Sequence, residues 1–311
     1  MEIYDVLIIG GGPAGVSAAI YARRKLLNIA IISKDIGGQV LLAGYIENFP
    51  GYENRTGSGL ADIFERQLNE FGVKVLTDQV VKIEKKGDLF KVICEEVELQ
   101  AKAVIATGGS THKRLQVPGE DEFFGHGVSC CATCDAPIAR NKIAVVVGGG
   151  NAAFQSVELL SRFATKVILI HRRDNFRADG ILIERIKKLP NVELMPNTMI
   201  KEIKGTNKVE NVILSNSLTG EECVLQCQKV FVEVGREIRL DYLKGLVKTN
   251  ELGQVTVDKN QRTSCEGIFA AGDITDLIYG QAIIAAGDGA VAALAAYDFL
   301  AQKGLLSDVY R

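Results

Sequence analysis

The stretch from Val128 to Ala136, VSCCATCDA, holds Cys130, Cys131 and Cys134 with Asp135 directly behind the last. Three chemistries use such a cluster: a metal ligand set, a structural disulfide, or a sulfur pair that carries electrons. Cys131 and Cys134 have the C-x-x-C spacing of a zinc site, but a structural zinc site takes four ligands and usually a second close pair. Cys223 and Cys227 stand far along the chain with three residues between them, and His112, His126 and His171 show no paired spacing, so a metal is disfavoured. A redox pair is favoured, because two intervening residues let the thiols close a small ring reversibly while tuning their acidity and potential. Asp135 then gives or takes the proton that exchange requires, or else it caps the turn leading to Pro137. Cys130 cannot easily share the ring and reads as a small buried residue or a side partner.

Two glycine turns supply the second kind of chemistry. Gly10, Gly12 and Gly15 sit between the apolar run Tyr4 to Ile9 and a helical pattern reaching about Lys25. There the first glycine permits a tight turn, the second lets backbone approach a pyrophosphate, and the third allows close helix-to-strand packing. The phosphates lie on the helix N-terminus, where unpaired N–H groups and the dipole favour negative charge. Ser33, Lys34 and Asp35 end the next strand, so the usual acidic ribose contact is missing or displaced to Asp35. The second turn, Gly148 and Gly150 with Ala153 in the third place, follows the strand Ile143 to Val147. Its next strand, Val167 to Ile170, ends in His171, Arg172 and Arg173, with Arg177 four positions later. Guanidiniums at that point match a ribose 2′-phosphate through bidentate donors and fixed charge, so NADPH is expected over NADH.

Strand, glycine turn, helix, strand is a parallel βαβ unit, and it occurs twice. Each copy is followed by strand-like segments with turn signals, near Lys86-Gly87-Asp88 and near Gly205 and Thr219-Gly220, and then by a strand ending in glycine, AVIATG to Gly108 and VFVEVG to Gly235. The expected fold class is α/β, two Rossmann-like three-layer nucleotide-binding domains, each with an inserted β-meander. The tail from Gly267, GIFAAGD and a helix from about Gln281 to Leu300, has no nucleotide turn and completes one of the earlier domains. Crossings between domains are expected near Val117-Pro118-Gly119 and across Asp241 to Asn250.

Composition agrees with this scheme. A chain of 311 residues with 47% hydrophobic content fits roughly two domains, and 36 basic against 38 acidic residues give a net charge of −2. Mixed charge offers no footprint for nucleic acid or an anionic membrane. Seven scattered cysteines, an odd number, do not resemble a secreted disulfide framework. No basic n-region precedes the first strand, and Gly287, Asp288 and Gly289 interrupt the apolar region 281–301 before it reaches the ~18 residues of a membrane span. The reading is a cytoplasmic protein.

With these residues in view, the chain resembles the low-molecular-weight type of thioredoxin reductase over essentially its full length. The resemblance rests on GGGPAG at 10–15, GGQ at 37–39, IENFPG at 46–51, ATGG at 106–109, CATCD at 131–135, GGGN at 148–151, HRRDNFRA at 171–178, GIFAAGD at 267–273 and YGQA at 279–282. It implies an FAD domain of residues 1–116 and 246–311 and an NADPH and disulfide domain of residues 117–245. FAD would be held by Gly10, Gly12, Pro13, Ala14, Gly15, Ser33, Lys34, Gly38, Gln39, Asn48, Thr107, Gly108, Gly272, Asp273, Gln281 and Ala282. NADPH would be held by Gly148, Gly150, Asn151, Ala152, His171, Arg172, Arg173 and Arg177. It further implies a homodimer in which a flavin passes electrons to a Cys131–Cys134 disulfide. Cys134 then lies nearest the flavin, Cys131 attacks thioredoxin or a glutaredoxin-like protein, Asp135 is the acid and base, and the NADPH domain turns about its two linkers between half-reactions. The chain departs from the family pattern at Gly280, in place of an arginine, at Gln155 and Ser156, in place of two acidic residues, at Gly235 to Leu240, and at Cys130.

Competing readings remain open. A flavin-dependent dithiol oxidase would not need the arginine set, and a thioredoxin reductase using a donor such as ferredoxin is a further alternative. The flavoprotein of a peroxide-reducing system carries an N-terminal extension, whereas here the first turn begins at Gly10. A zinc- or nucleotide-binding regulatory module would be colourless.

Overall fold

The computed structural model of the protein describes residues 2–43, 46–53, 56–277 and 279–306. The chain divides into two compact units, residues 1–43, 48–111 and 238–311 in one and residues 44–47 and 112–237 in the other. In chain order the first unit contributes β1 (Ile3–Ile9), α1 (Pro13–Arg24), β2 (Ile29–Ile32), α2 (Gly57–Glu70), β3 (Lys74–Leu76), β4 (Val80–Lys86), β5 (Leu89–Cys94) and β6 (Glu98–Ala106). After β7 (Thr111–His112), the second contains β8 (Val128–Ser129), α3 (Ala132–Asp135), β9 (Ile143–Val147), α4 (Asn151–Leu160), β10 (Lys166–Ile170), α5 (Gly180–Lys187), β11 (Val192–Met195), β12 (Thr198–Gly205), β13 (Val209–Asn216), β14 (Glu222–Gln226), β15 (Lys229–Val232) and β16 (Arg236–Glu237). The chain then returns to the first unit with β17 (Ile268–Ala270) and α6 (Ala282–Gln302).

Both parallel sheets follow from their apolar runs. Strands covered on both faces need no polar alternation, and Tyr4 to Ile9 are buried throughout. In the first unit β3, β2, β1, β6 and β17 are parallel neighbours, while β4 and β5 form an antiparallel hairpin on the N-terminal half of β6. Leu7, Ile9, Val104 and Ala106 pack with Phe90 and Val92 of the hairpin in one core.

The second unit repeats the plan with β11, β10, β9, β15 and β8 in order, all parallel, and β12, β13 and β14 as a separate antiparallel meander. Alternation along β9 feeds two layers. Ala144 and Val146 pack with Phe154, Val157 and Leu160 of α4, while Val145 and Val147 pack with Ile203, Val209, Val212 and Leu214 of the meander. Each large aliphatic or aromatic side chain so buried contributes about 1.5–3 kcal/mol relative to exposure.

The helix expected from about Gln281 to Leu300 forms as α6, unbroken for 21 residues, but Gly287, Asp288 and Gly289 do not keep it below the apolarity of a membrane span. Gly289 lies in it because a Cβ there would stand 2.0 Å from the Ala14 carbonyl oxygen, so the glycine is what lets α6 lie against α1. By length and composition α6 is apolar enough to cross a membrane, yet Ala285, Gly289, Ala292, Ala293 and Ala296 are buried within the unit. The chain changes unit at 111–112 and 237–238, where β7 and β16 pair as a two-stranded ribbon. The segment 117–119 lies within the second unit, the Ile203 N–H donating to the Pro118 carbonyl at 2.9 Å, and Leu243 lies in the core of the first.

Candidate functional site

The first glycine turn is built so that side chains are excluded on the protein side and absent on the other. Gly10 has φ +112°, and a Cβ on it would stand 2.4 Å from the Thr107 carbonyl oxygen; one on Gly15 would stand 1.9 Å from the Gly10 carbonyl oxygen. Gly12, by contrast, is the N-cap of α1 in extended conformation, with no side-chain cap and nothing within 4 Å of its Cβ position. An open face at a helix N-terminus, ahead of Pro13 at the first helical position, is the cradle a pyrophosphate requires. The Thr107 hydroxyl donates to the carbonyls of Ile9 and Gly10, and Ser33 Oγ accepts the Gly11 N–H at 2.9 Å.

Other expected residues of this unit gather at the turn. Gly38 lies against Gly12, and Gly272, at φ +75°, packs on Ala14 and Ala285. Ser110 Oγ donates to Asp273 at 3.2 Å, and Asn48 Nδ2 donates to the side chain of Gln281, the N-cap of α6, at 3.0 Å. Lys34 instead pairs with Glu95 at the surface, 3.7 Å away. Asp35 accepts the Gly38 N–H at 3.0 Å, which makes it a cap of the Gly37-Gly38 turn. Two buried polar atoms were not foreseen from the sequence. Asp288 Oδ1 accepts Gln261 Nε2 at 3.2 Å while its other oxygen has no partner among the described residues, and the Tyr242 hydroxyl, likewise without one among them, faces Gly108. An acidic residue inside so apolar a helix was the available signal for Asp288.

The second turn has the same logic. A Cβ on Gly148 would stand 2.5 Å from the Glu233 carbonyl oxygen and one on Gly149 2.5 Å from the His171 ring, whereas Gly150, the N-cap of α4, faces open space. Asn151 is fixed by a two-way bond with Asp179, at 3.1 and 2.8 Å. His171 is buried, its Nε2 without a partner among the described residues, and burial, with Arg177, Arg172 and Arg173 nearby, lowers its pKa. The three arginines are exposed and make no ion pair among the described residues. Such an anion site fits a phosphorylated dinucleotide.

In the same unit Cys131 and Cys134 are joined as a disulfide, with Cα atoms 5.3 Å apart. This bond takes both sulfurs away from any zinc set. Cys131 is the N-cap of α3 and its Sγ accepts the Cys134 N–H at 3.2 Å, while Ser129 Oγ accepts the Cys131 N–H at 3.1 Å. Cys131 is half-buried and Cys134 exposed. Burial raises the pKa of Asp135 against the opposing pull of Ser129 and Lys229, which suits an acid that must also act as a base. Its side chain makes no capping bond to the following turn. Burial also pushes the Cys130 thiol up to about 11, so this third sulfur stays protonated and inert. Glu233, unnoticed in the sequence, accepts the Ser156 hydroxyl at 2.7 Å.

Comparison with known proteins adds to this geometry. Residues 4–289 match the family model described as pyridine nucleotide-disulphide oxidoreductase. A thioredoxin reductase of Treponema pallidum is 40% identical over 299 residues, 96% of this chain and 97% of that protein. A Bacillus subtilis protein called NADH dehydrogenase is 39% identical, but the chain spans only 59% of its length. Among solved structures, a thioredoxin reductase from Streptococcus pyogenes superposes with a TM-score of 0.93 at 39% identity, covering 96% of this chain and 99% of that one. One from Giardia duodenalis gives 0.91 at 34% identity, covering 97% and 100%.

Proposed function

The chain belongs to the pyridine nucleotide-disulphide oxidoreductase family, among its thioredoxin reductases, and on that premise we propose that it is an NADPH-dependent thioredoxin-disulfide reductase. The observation that carries this reading is the Cys131–Cys134 disulfide at the start of a helix next to Asp135, whose pKa burial raises, in the unit that also holds the open Gly150 turn and the exposed Arg172, Arg173 and Arg177. FAD belongs at the Gly10 to Gly15 turn with Ser33, Gly38, Thr107 and Gly272, and NADPH at the Gly148 to Ala152 turn with His171, Arg172, Arg173 and Arg177. When bound, FAD supplies the two-electron chemistry that links a nicotinamide hydride to a disulfide.

The chain's own residues perform the exchange. With the disulfide opened, Cys131 as thiolate attacks one sulfur of the thioredoxin disulfide, and Asp135 moves the proton that the leaving sulfur requires. Cys134 then attacks the mixed disulfide, restoring the Cys131–Cys134 bond and releasing reduced thioredoxin. The sum is one NADPH and one proton consumed per dithiol formed. The apolar side chains Ile283, Ile284, Val291 and Leu294 exposed along α6 support a homodimer, and the composition supports a cytoplasmic setting.

Steady-state reduction of thioredoxin by the flavin-loaded protein, with NADPH, NADH and reduced ferredoxin as separate donors, tests the assignment. Cys134→Ser should keep bound flavin and lose thioredoxin reduction by at least about a thousandfold. Full activity in that variant sinks the sulfur relay, and equal rates with NADH sink the donor.

A further inference from the structure

Asp288 stands in α6, and Gln261 meets it from the turn before β17: Gln261 Nε2 donates to Asp288 Oδ1 at 3.2 Å. The two atoms left over on the same pair of groups, Gln261 Oε1 and Asp288 Oδ2, are buried and have no partner among the described residues. Both are acceptors while the carboxyl is ionised. A protonated carboxyl carries one donor, and an acid facing an amide closes a two-bond ring that a carboxylate leaves half made. Buried acceptors left unpaired are costly, so the pair favours the proton. Gln261 is also held for this contact against its own backbone preference. Its φ is +59°, in the left-handed region that disfavours a residue with a side chain. Its N–H donates to the Asp258 carbonyl at 3.0 Å, and its carbonyl accepts the Ala270 N–H of β17 at 3.1 Å.

The pair sits on the part of α6 that meets the first glycine turn. Gly289, the next residue, lies on the Ala14 carbonyl oxygen, 2.0 Å from its Cβ position, and a Cβ on Gly272 would stand 3.2 Å from the Cβ atoms of both Ala14 and Ala285. We propose that Asp288 is a positioning residue for FAD: as the dinucleotide binds, its Oδ2 takes up a proton and donates it to Gln261 Oε1, so that α6 is uncharged beside the pyrophosphate cradle. This deepens the reductase reading and rests on its FAD assignment. A carboxylate and an anionic diphosphate oppose one another, the more so where burial weakens screening. Burial raises the pKa of Asp288, the Gly272 N–H opposes that rise, and Asp273 adds to it. The other charges on the surrounding elements are engaged or turned outward. Asp258 accepts the N–H groups of Asn260 and Arg262, and Lys259 and Arg262 are exposed. On β6 Lys102 pairs with Asp5 at 2.7 Å. α1 has no acidic residue in its first turn, and Arg23 and Arg24 lie in its last. Asp273 accepts the Ser110 hydroxyl at 3.2 Å, while Asp288 has an orphan acceptor to which a proton can be given.

The test is rebinding of FAD to the flavin-stripped full chain between about pH 5 and pH 8. Affinity is read by quenching of flavin fluorescence, and proton uptake by calorimetry in two buffers of different ionisation heat. In the wild type Kd should fall about five- to tenfold from the alkaline to the acid end, which corresponds to a rise of about one pH unit in the Asp288 midpoint on binding. Protons should be taken up within that window. Asp288→Asn keeps both bonds of the ring, with an amide N–H in place of the acid O–H, and has no proton to gain. Its Kd should stay at or below the acid-end value of the wild type throughout, with the uptake gone. A fall in Kd or an uptake of the same size in both proteins overturns the proposal. Should the variant not fold, the wild type alone decides: FAD binding without proton uptake anywhere in the window overturns it. Failure of the FAD assignment shows separately, as no flavin binding by the wild type at any pH.

Discussion

Replacing Gly289 by alanine probes the seat of α6 on α1. The new Cβ would stand 2.0 Å from the Ala14 carbonyl oxygen, 2.7 Å from its carbon and 2.9 Å from its Cα, all backbone atoms that no rotamer change can move. Restoring an ordinary contact of 3.4 Å requires the helices to part by about 1.4 Å. Overpacking of a close-packed interface costs about 1–3 kcal/mol, and the gain in helix propensity of about 0.5–1 kcal/mol offsets only part of it. For a unit of this size each kcal/mol moves the midpoint about 2–4 °C, so Tm should drop by about 4 °C, and by up to about 10 °C at the upper end of that cost. Gly287, two residues earlier, has nothing within 4 Å of its Cβ position. Gly287→Ala therefore gains propensity without a clash, and its Tm should rise by about 1–4 °C. Thermal unfolding of both variants by far-UV circular dichroism, with flavin release read by fluorescence, checks the contrast. Because Ala14 is part of the first glycine turn, flavin should leave Gly289→Ala earlier than the wild type. Equal signs for the two substitutions would refute the packing argument.

Two further outcomes follow from the second unit. Arg172→Ala combined with Arg173→Ala should raise KM for NADPH by about ten- to a hundredfold, with little effect on KM for NADH; equal effects in steady-state assays would remove the phosphate role. Burial, with Arg236 and Arg114 beside it, pushes His112 down to about 4, below the roughly 6.5 of an unfolded chain. The unfolded state then takes up the proton first as pH falls, so this contribution is intact above about pH 6.5 and is lost towards pH 4, by about 2–3 kcal/mol. Urea unfolding at pH 7 and at pH 4.5 should show that loss in the wild type and a smaller one in His112→Gln, and the same loss in both would exclude His112.

What was legible in the sequence was local. The glycine turns, their flanking strands and the cysteine pair each lie within a few dozen residues, and their patterns state the backbone requirement directly. The partners of Glu233 could not be read that way, because Ser156 lies 77 residues from it and only sheet order brings β15 beside β9. Gly289 misled for a related reason: read along the chain it looks like a break in an apolar run, and only α1 reveals it as a packing requirement. Asp35 likewise stands near the expected ribose contact, yet its carboxylate serves the turn three residues on.

The double edge of β6 has a consequence for biogenesis. Its C-terminal half pairs with β17, which a ribosome delivers only after residues 107–267 have emerged. A nascent chain would have to hold that excursion shut as a loop of about 160 residues. The ribbon of β7 with β16 joins the ends of the intervening segment, so a middle unit that matures early shortens the effective loop to about 35 residues. The difference in closure entropy is about 1.3 kcal/mol, which makes the inserted segment a scaffold for completing the sheet that was begun first.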